Sequence, residues 1–122
     1  MSTVFCTGGR GFLVDLLMYN NTGYAGVARF SAFGTGAGTP GISDTTLFGE
    51  VGNRVSGVGT RYNYSTFQLQ AAHGIQDNYT GTNAGIFSRS GTSPILITKG
   101  DFTPIPFLSG DNVTFTYRLE FQ

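Results

Sequence analysis

His73 is the single histidine and Cys6 the single cysteine of this 122-residue chain, so imidazole or thiol chemistry has one side chain each to work with. Neither stands in a pattern that names a partner. Every Ser-His-Asp or Cys-His pairing chosen from spacing would be arbitrary, and Cys6, His73 and the scattered aspartates do not fall at metal-ligand spacing. The acidic residues Asp15, Asp44, Glu50, Asp77, Asp101, Asp111 and Glu120 sit mostly beside glycine or at predicted turns. Turn chemistry accounts for them better than paired-carboxylate catalysis does. No catalytic, cofactor-binding or metal-ligating residue is therefore assigned, and no cofactor is expected.

Three further patterns carry a chemical suggestion. Gly36-Ala37-Gly38-Thr39-Pro40-Gly41 has the letters of a dinucleotide-binding loop, but that chemistry needs the glycines to open a helix directly after a strand. Here Pro40-Gly41 leads into Ile42-Ser43-Asp44 with no long helix, so a turn-rich loop is expected. Asn20, Asn63, Asn78 and Asn112 each begin an Asn-X-Ser/Thr triplet, which a chain rich in these residues produces by chance. Tyr62, Tyr64, Tyr79 and several Phe could stack on sugar rings, although core packing explains most of them.

The composition describes the scaffold for these residues. Nineteen glycines, eleven Phe and six Tyr with many Thr, Ser and Asn favour short strands and tight turns over helices. Charged residues are 11 % of the chain, against roughly 25 % in an average soluble domain, which suits a polar uncharged surface held in an assembly. Seven basic and seven acidic residues balance to a net charge of zero, so neither nucleic acid, an anionic membrane nor an acidic substrate is indicated as a partner. With one cysteine there is no internal disulfide. No apolar run reaches spanning length, and no basic segment followed by an apolar core opens the chain, so synthesis in a cytoplasm without a secretory leader is expected.

The strongest element is Val113 to Gln122, where odd positions are apolar and even positions polar, the signature of a strand with one buried face. It is expected to be the strand around which the others are arranged, paired on both flanks. Ser2 to Thr7 reads as an arm or edge strand, and residues 9 to 19 as a short helix with apolar residues on more than one side. Tyr24 to Phe33 is a strand of uncertain facing, and Gly34 to Ser43 a loop. Asp44 to Glu50 is expected to form a single turn with Leu47 and Phe48 inward, capped by Ser43 or Asp44, and Val51 to Val58 a poor strand or a bridging loop. Thr60 to Ala72 changes parity midway, which predicts a β-bulge at Ser65 and Thr66. Gly74 to Asn83 reads as a polar turn region. Ala84 to Arg89 and Pro94 to Thr98 form a hairpin about Ser90 to Ser93, and Lys99-Gly100-Asp101 turns the chain. Phe102 to Leu108, with Pro104 and Pro106, belongs at a sheet edge or outside the ladder, and Ser109 to Asn112 turns into the last strand. The sum is one all-β domain over residues 1–122. Residues 1–23 form an N-terminal arm and short helix, and residues 24–122 an antiparallel β-sandwich or flattened barrel.

The order of motifs resembles small structural proteins of tailed-bacteriophage virions. A Gly-Thr-Gly loop at Gly34-Thr35-Gly36 leads to Asp44-Thr45-Thr46-Leu47 with Glu50 and Arg54, then to Ala84-Gly85-Ile86-Phe87. The closing unit runs from Phe102-Thr103-Pro104-Ile105 through Ser109-Gly110-Asp111 to Val113-Thr114-Phe115-Thr116-Tyr117. The resemblance implies a non-enzymatic virion protein, most simply a capsid decoration or cement protein. It would associate as a homo-oligomer with other virion proteins, the major capsid protein or tail and neck proteins, and touch neither nucleic acid nor membrane. A tail, neck or fibre component is the alternative, and a lectin-like receptor-binding module using Tyr62, Tyr64 or loop aromatics a further one.

Overall fold

The computed structural model describes residues 3–10, 29–88 and 95–120. Within them the apolar alternations resolve into eight strands: β1 (Thr3–Phe5), β2 (Phe30–Gly34), β3 (Glu50–Ser56), β4 (Val58–Asn63), β5 (Thr66–Gly74), β6 (Tyr79–Phe87), β7 (Leu96–Phe107) and β8 (Asn112–Glu120). They form two antiparallel sheets, one of five strands in the order β1-β7-β6-β2-β3 and one of three in the order β4-β5-β8. The expected all-β sandwich is thus present. Residues 7–10 are helical, so helix entry comes two residues earlier than the spacing predicts, and residues 11–19, where the expected helix would continue, lie outside the described residues.

Side chains from both sheets meet in the space between them. Leu69 of β5 packs with Ile86 of β6 and Ile97 of β7, while Phe33 of β2 packs with Ala84, Phe107 and Phe115. A second apolar layer lies on the far face of the five-stranded sheet. There Ala32, Phe87, Leu96 and Cys6 are covered by Leu47, which comes from the long connection between β2 and β3. That connection has no helical turn at Asp44 to Glu50, because Asp44 is engaged by the sheet beneath it, as described below. Leu47 does point inward, and Phe48 is half-buried.

Several local expectations are corrected. Of the two readings of the glycine-rich stretch after Glu50, the strand holds and the bridging loop does not: it is β3, whose ladder to β2 skips between Ser31↔Val55 and Phe33↔Val51, and Gly52 at φ +70° takes the backbone through the resulting bulge. The parity change near Ser65 is a chain reversal. β4 and β5 pair as a hairpin about Tyr64-Ser65, and the irregularity in their ladder falls between Arg61 and Asn63. Tyr79 to Asn83 belongs to β6, so the turn region is shorter than expected. Lys99-Gly100-Asp101 continues β7 through its pairing with β1 and β6, and the ladder breaks beyond it, between Asp101 and Ile105. There β7 carries Pro104 and Pro106, which the sheet tolerates because β1 reaches only Thr98 to Gly100 and leaves that flank of β7 open. The Ser90 to Ser93 link, Tyr24 to Ala28, Phe121 and Gln122 lie outside the described residues.

The alternation of the last strand is as expected, with Val113, Phe115, Tyr117 and Leu119 half-buried and the even positions exposed. Its place in the sheet is not. β8 pairs with β5 alone, over Thr66↔Glu120 to Gly74↔Asn112, so β5 is the centre of its sheet and β8 an edge. One buried face fixes which side a strand shows to the core, and carries no information about how many neighbours it has.

Candidate functional site

Ser31 of β2, His73 of β5 and Tyr117 of β8 come from both sheets and meet between them. His73 Nε2 lies 2.9 Å from Ser31 Oγ, and Ser31 Oγ lies 2.6 Å from the Tyr117 hydroxyl. Spacing gave no hint of this group, because the three residues are separated by 42 and 44 positions and brought together by sheet packing. A serine hydroxyl on an imidazole is the core of a nucleophilic pair, yet Ser31 is 0 % exposed and His73 2 %. The His73 ring is also met edge-on by Phe33 and Phe115 at 5.5 and 5.3 Å. No substrate reaches such a nucleophile without parting the sheets, so the arrangement serves as a polar tie across the sandwich. Burial holds His73 below its usual range and pushes the Tyr117 phenol up.

This tie has a measurable pH signature. The unfolded imidazole takes its proton near pH 6.5, whereas the folded one resists it, so the unfolded state binds more protons as the pH falls through that value. Stability is therefore expected to be level above about pH 7.5 and to decline from about pH 6.5 downward. Urea midpoints measured across this window should show the slope, and His73→Gln should flatten it. Ser31→Ala leaves two buried polar groups without their shared partner and is expected to cost about 2 kcal/mol. A flat profile in the wild-type chain would mean that His73 is not held neutral by burial.

The second polar cluster lies on the other side of the five-stranded sheet. Lys99, the sole lysine, is 1 % exposed, and its Nζ donates to Asp44 Oδ2 at 2.9 Å and to the Thr46 carbonyl at 2.8 Å. The same ammonium stands 3.2 Å from the centre of the Phe48 ring, so three partners from one connection hold it. Asp44 also accepts from the Gly41 amide at 3.0 Å; that bond, and then the Lys99 bond, hold its carboxyl below the usual range. Cys6 lies close by and fully buried, and burial pushes its thiol up, away from the thiolate that redox or nucleophilic chemistry uses. The cluster clamps the β2–β3 connection onto the sheet.

The residues quoted for the virion resemblance have structural work in this region. Glu50 and Arg54 form a two-pronged ion pair at 2.9 and 3.1 Å, and the Arg54 guanidinium lies 3.6 Å from the Phe87 ring centre. In a regular strand residues four apart stand about 13 Å from each other, so this pair depends on the bulge at Gly52. Gly36, in the apparent dinucleotide motif, donates its amide to the Phe48 carbonyl. Gly38, at φ +153°, leaves room for the Phe48 ring, which a β-carbon there would approach to 2.7 Å. These glycines admit an aromatic side chain, and no helix follows them to hold a phosphate.

Among the described residues no group of three or more His, Cys, Asp or Glu side chains gathers as metal ligands would. Asp44, Asp77 and Asp111 accept turn amides from Gly41, Asn78 and Leu108, as turn chemistry predicts. Asn63 accepts from the Ser65 amide, and Asn78 from the Ser109 amide. Of the aromatic candidates, Tyr79 packs edge-on against Phe33 at 6.0 Å and leaves the list of surface residues. Tyr62 and Tyr64 are exposed, Tyr64 almost completely. The guanidinium of Arg118 lies 4.0 Å from the Tyr62 ring centre, and that of Arg61 lies 5.0 Å from the Tyr64 ring centre. No family model, no curated protein and no solved structure matches the chain.

Proposed function

We propose that the chain is a non-enzymatic structural protein of a tailed-phage virion, and that as a capsid decoration or cement protein it stabilises the particle by protein–protein contacts. The support lies in a contrast among the strand edges. β1 is three residues long, β3 is broken by the Gly52 bulge, and β4 by the irregularity at Tyr62, all devices that blunt an edge against pairing. β8 has none of them. It offers nine residues in unbroken register, with no proline, glycine or lysine along its open side. Beside it a cavity of about 250 Å³ opens between the sheets, lined mainly by apolar groups, Phe102, Phe115, Tyr117 and Leu119 among them, with the charged Asp101 and Arg118 also in its lining. A regular edge next to an apolar opening suits addition of a strand from a neighbouring subunit.

In this reading β8 joins copies of the chain to one another or to the major capsid protein. The buried Ser31–His73 pair and the clamp of buried Lys99 on half-buried Asp44 are structural ties. Quantitative densitometry of purified virions tests the assignment. A decoration protein is present in hundreds of copies per particle, whereas a few to tens would move it to the tail, neck or fibre. Recovery from infected cells but not from washed virions would overturn the structural reading altogether. The isolated protein is expected to be a homo-oligomer by light scattering, and a monomer at every concentration would remove the β8 edge from the argument.

A further inference from the structure

We propose that the outward face of the three-stranded sheet binds an acidic polysaccharide, with the Arg118 guanidinium taking a sugar carboxylate. The even positions of β4, β5 and β8 share this face, as the register Thr60↔Gln68↔Arg118 and Val58↔Gln70↔Thr116 requires. It therefore presents amides, hydroxyls, an aromatic ring and a guanidinium side by side, with the exposed Val58 among them. Sugar hydroxyls pair with amides and hydroxyls, and the apolar faces of pyranose rings stack on tyrosine.

The distinguishing feature is the state of Arg118. Its Nε donates to Gln68 Oε1 at 2.9 Å while its Cζ lies over the Tyr62 ring, 4.0 Å from the ring centre. An exposed arginine normally loses much rotamer freedom when it binds, and one already fixed from two sides loses less. Gln70 is likewise fixed, donating to Thr116 Oγ1 at 3.3 Å. A planar fork held ready on a flat polar face fits a carboxylate, which accepts two parallel hydrogen bonds. A single-stranded nucleic acid also likes aromatic rings and arginine, but it needs a basic track along the backbone. Arg118 is the one cation at the even positions of β4, β5 and β8, with Glu120 on the same face, so the surface offers a single fork for a single carboxylate and no basic track for successive phosphates.

This inference is independent of the virion reading, since association along β8 uses its backbone edge and the saccharide its outward side chains. The test is affinity gel electrophoresis of the full chain in gels containing polygalacturonate, alginate or hyaluronan, with dextran as neutral control and oligo(dT) as a separate probe. Retardation by at least one of the three acidic polymers and not by dextran is expected. Arg118→Ala and Tyr62→Ala should each weaken it about tenfold, a change of about 1.4 kcal/mol. Both residues are exposed, so thermal midpoints close to wild type would certify the fold. Arg118→Lys should recover only part of the binding, because a point charge lacks the fork. Failure of all three acidic polymers, equal retardation of wild type and Arg118→Ala, or binding of oligo(dT) as tight as that of the polysaccharide would each overturn the proposal.

Discussion

Replacing Asp44 by Ala is expected to destabilise the fold by about 3 kcal/mol, and replacing Lys99 by Met in the same chain to restore most of the loss. The asymmetry between the partners drives this. Lys99 has 1 % of its side chain exposed and Asp44 27 %, so removing the carboxylate strands an ammonium in the interior, whereas removing the ammonium leaves a carboxylate that water already reaches. Lys99→Met alone should therefore cost less than Asp44→Ala. A Met fills the long channel of the lysine stem without any charge to solvate. Urea unfolding of the two single variants and the double variant closes the cycle, and in thermal unfolding the Asp44→Ala loss corresponds to a fall in Tm of roughly 10 °C for a domain of this size. If Asp44→Ala cost less than about 1 kcal/mol, the pair would belong with exposed surface bridges and could not be what seats the β2–β3 connection.

Phe33→Ala is expected to be of similar or greater severity, about 4 kcal/mol. Phe33 is 3 % exposed and stands at the centre of the inter-sheet aromatics, with His73, Tyr79, Phe107 and Phe115 all within 6.0 Å of its ring centre. Truncation removes the apolar area, leaves a cavity that rigid neighbouring rings cannot collapse into, and abolishes several edge-to-face contacts together. Phe33→Leu keeps part of the volume and should cost about half as much. Denaturant titration followed by circular dichroism measures both, since the chain has no tryptophan to report. Equal stabilities for Phe33→Ala and wild type would show that the two sheets are held chiefly elsewhere, at the Leu69–Ile86–Ile97 cluster.

Much of the strand content could be read from the residues, because a half-buried strand writes its facing into every second position. β8 is the clearest instance, and the turn at Ser109 to Asn112, closed by Gly110 at φ +94°, was equally legible. What could not be read was adjacency. A strand with the pattern of β8 looks the same whether one neighbour or two flank it, so its edge position had to come from the fold. The hairpin at Tyr64-Ser65 reads as a bulge in the sequence, since both devices shift the parity by one residue. Lys99 to Asp101 has the letters of a turn, yet Lys99 is drawn inward by Asp44, Thr46 and Phe48, partners 51 to 55 positions away in the chain. Ser31, His73 and Tyr117 were invisible for the same reason. A long-range polar group carries no local spacing, and a histidine followed by glycine gives no sign of the strand that will face it.

The strand order of the two sheets bears on how the chain reaches this state. β1 pairs only with β7, across some ninety residues, and β5, the middle of its sheet, gains its second neighbour only when β8 arrives. Neither sheet can be completed by the first half of the chain, and the entropy of closing these long loops is lost before their contacts form. Folding should accordingly be slow for a domain of this size, with a rate governed by non-local pairing; during synthesis β2–β3 and β4–β5 can pair early, whereas β1 must wait for residues beyond position 96 to leave the ribosome, and one flank of β5 for β8.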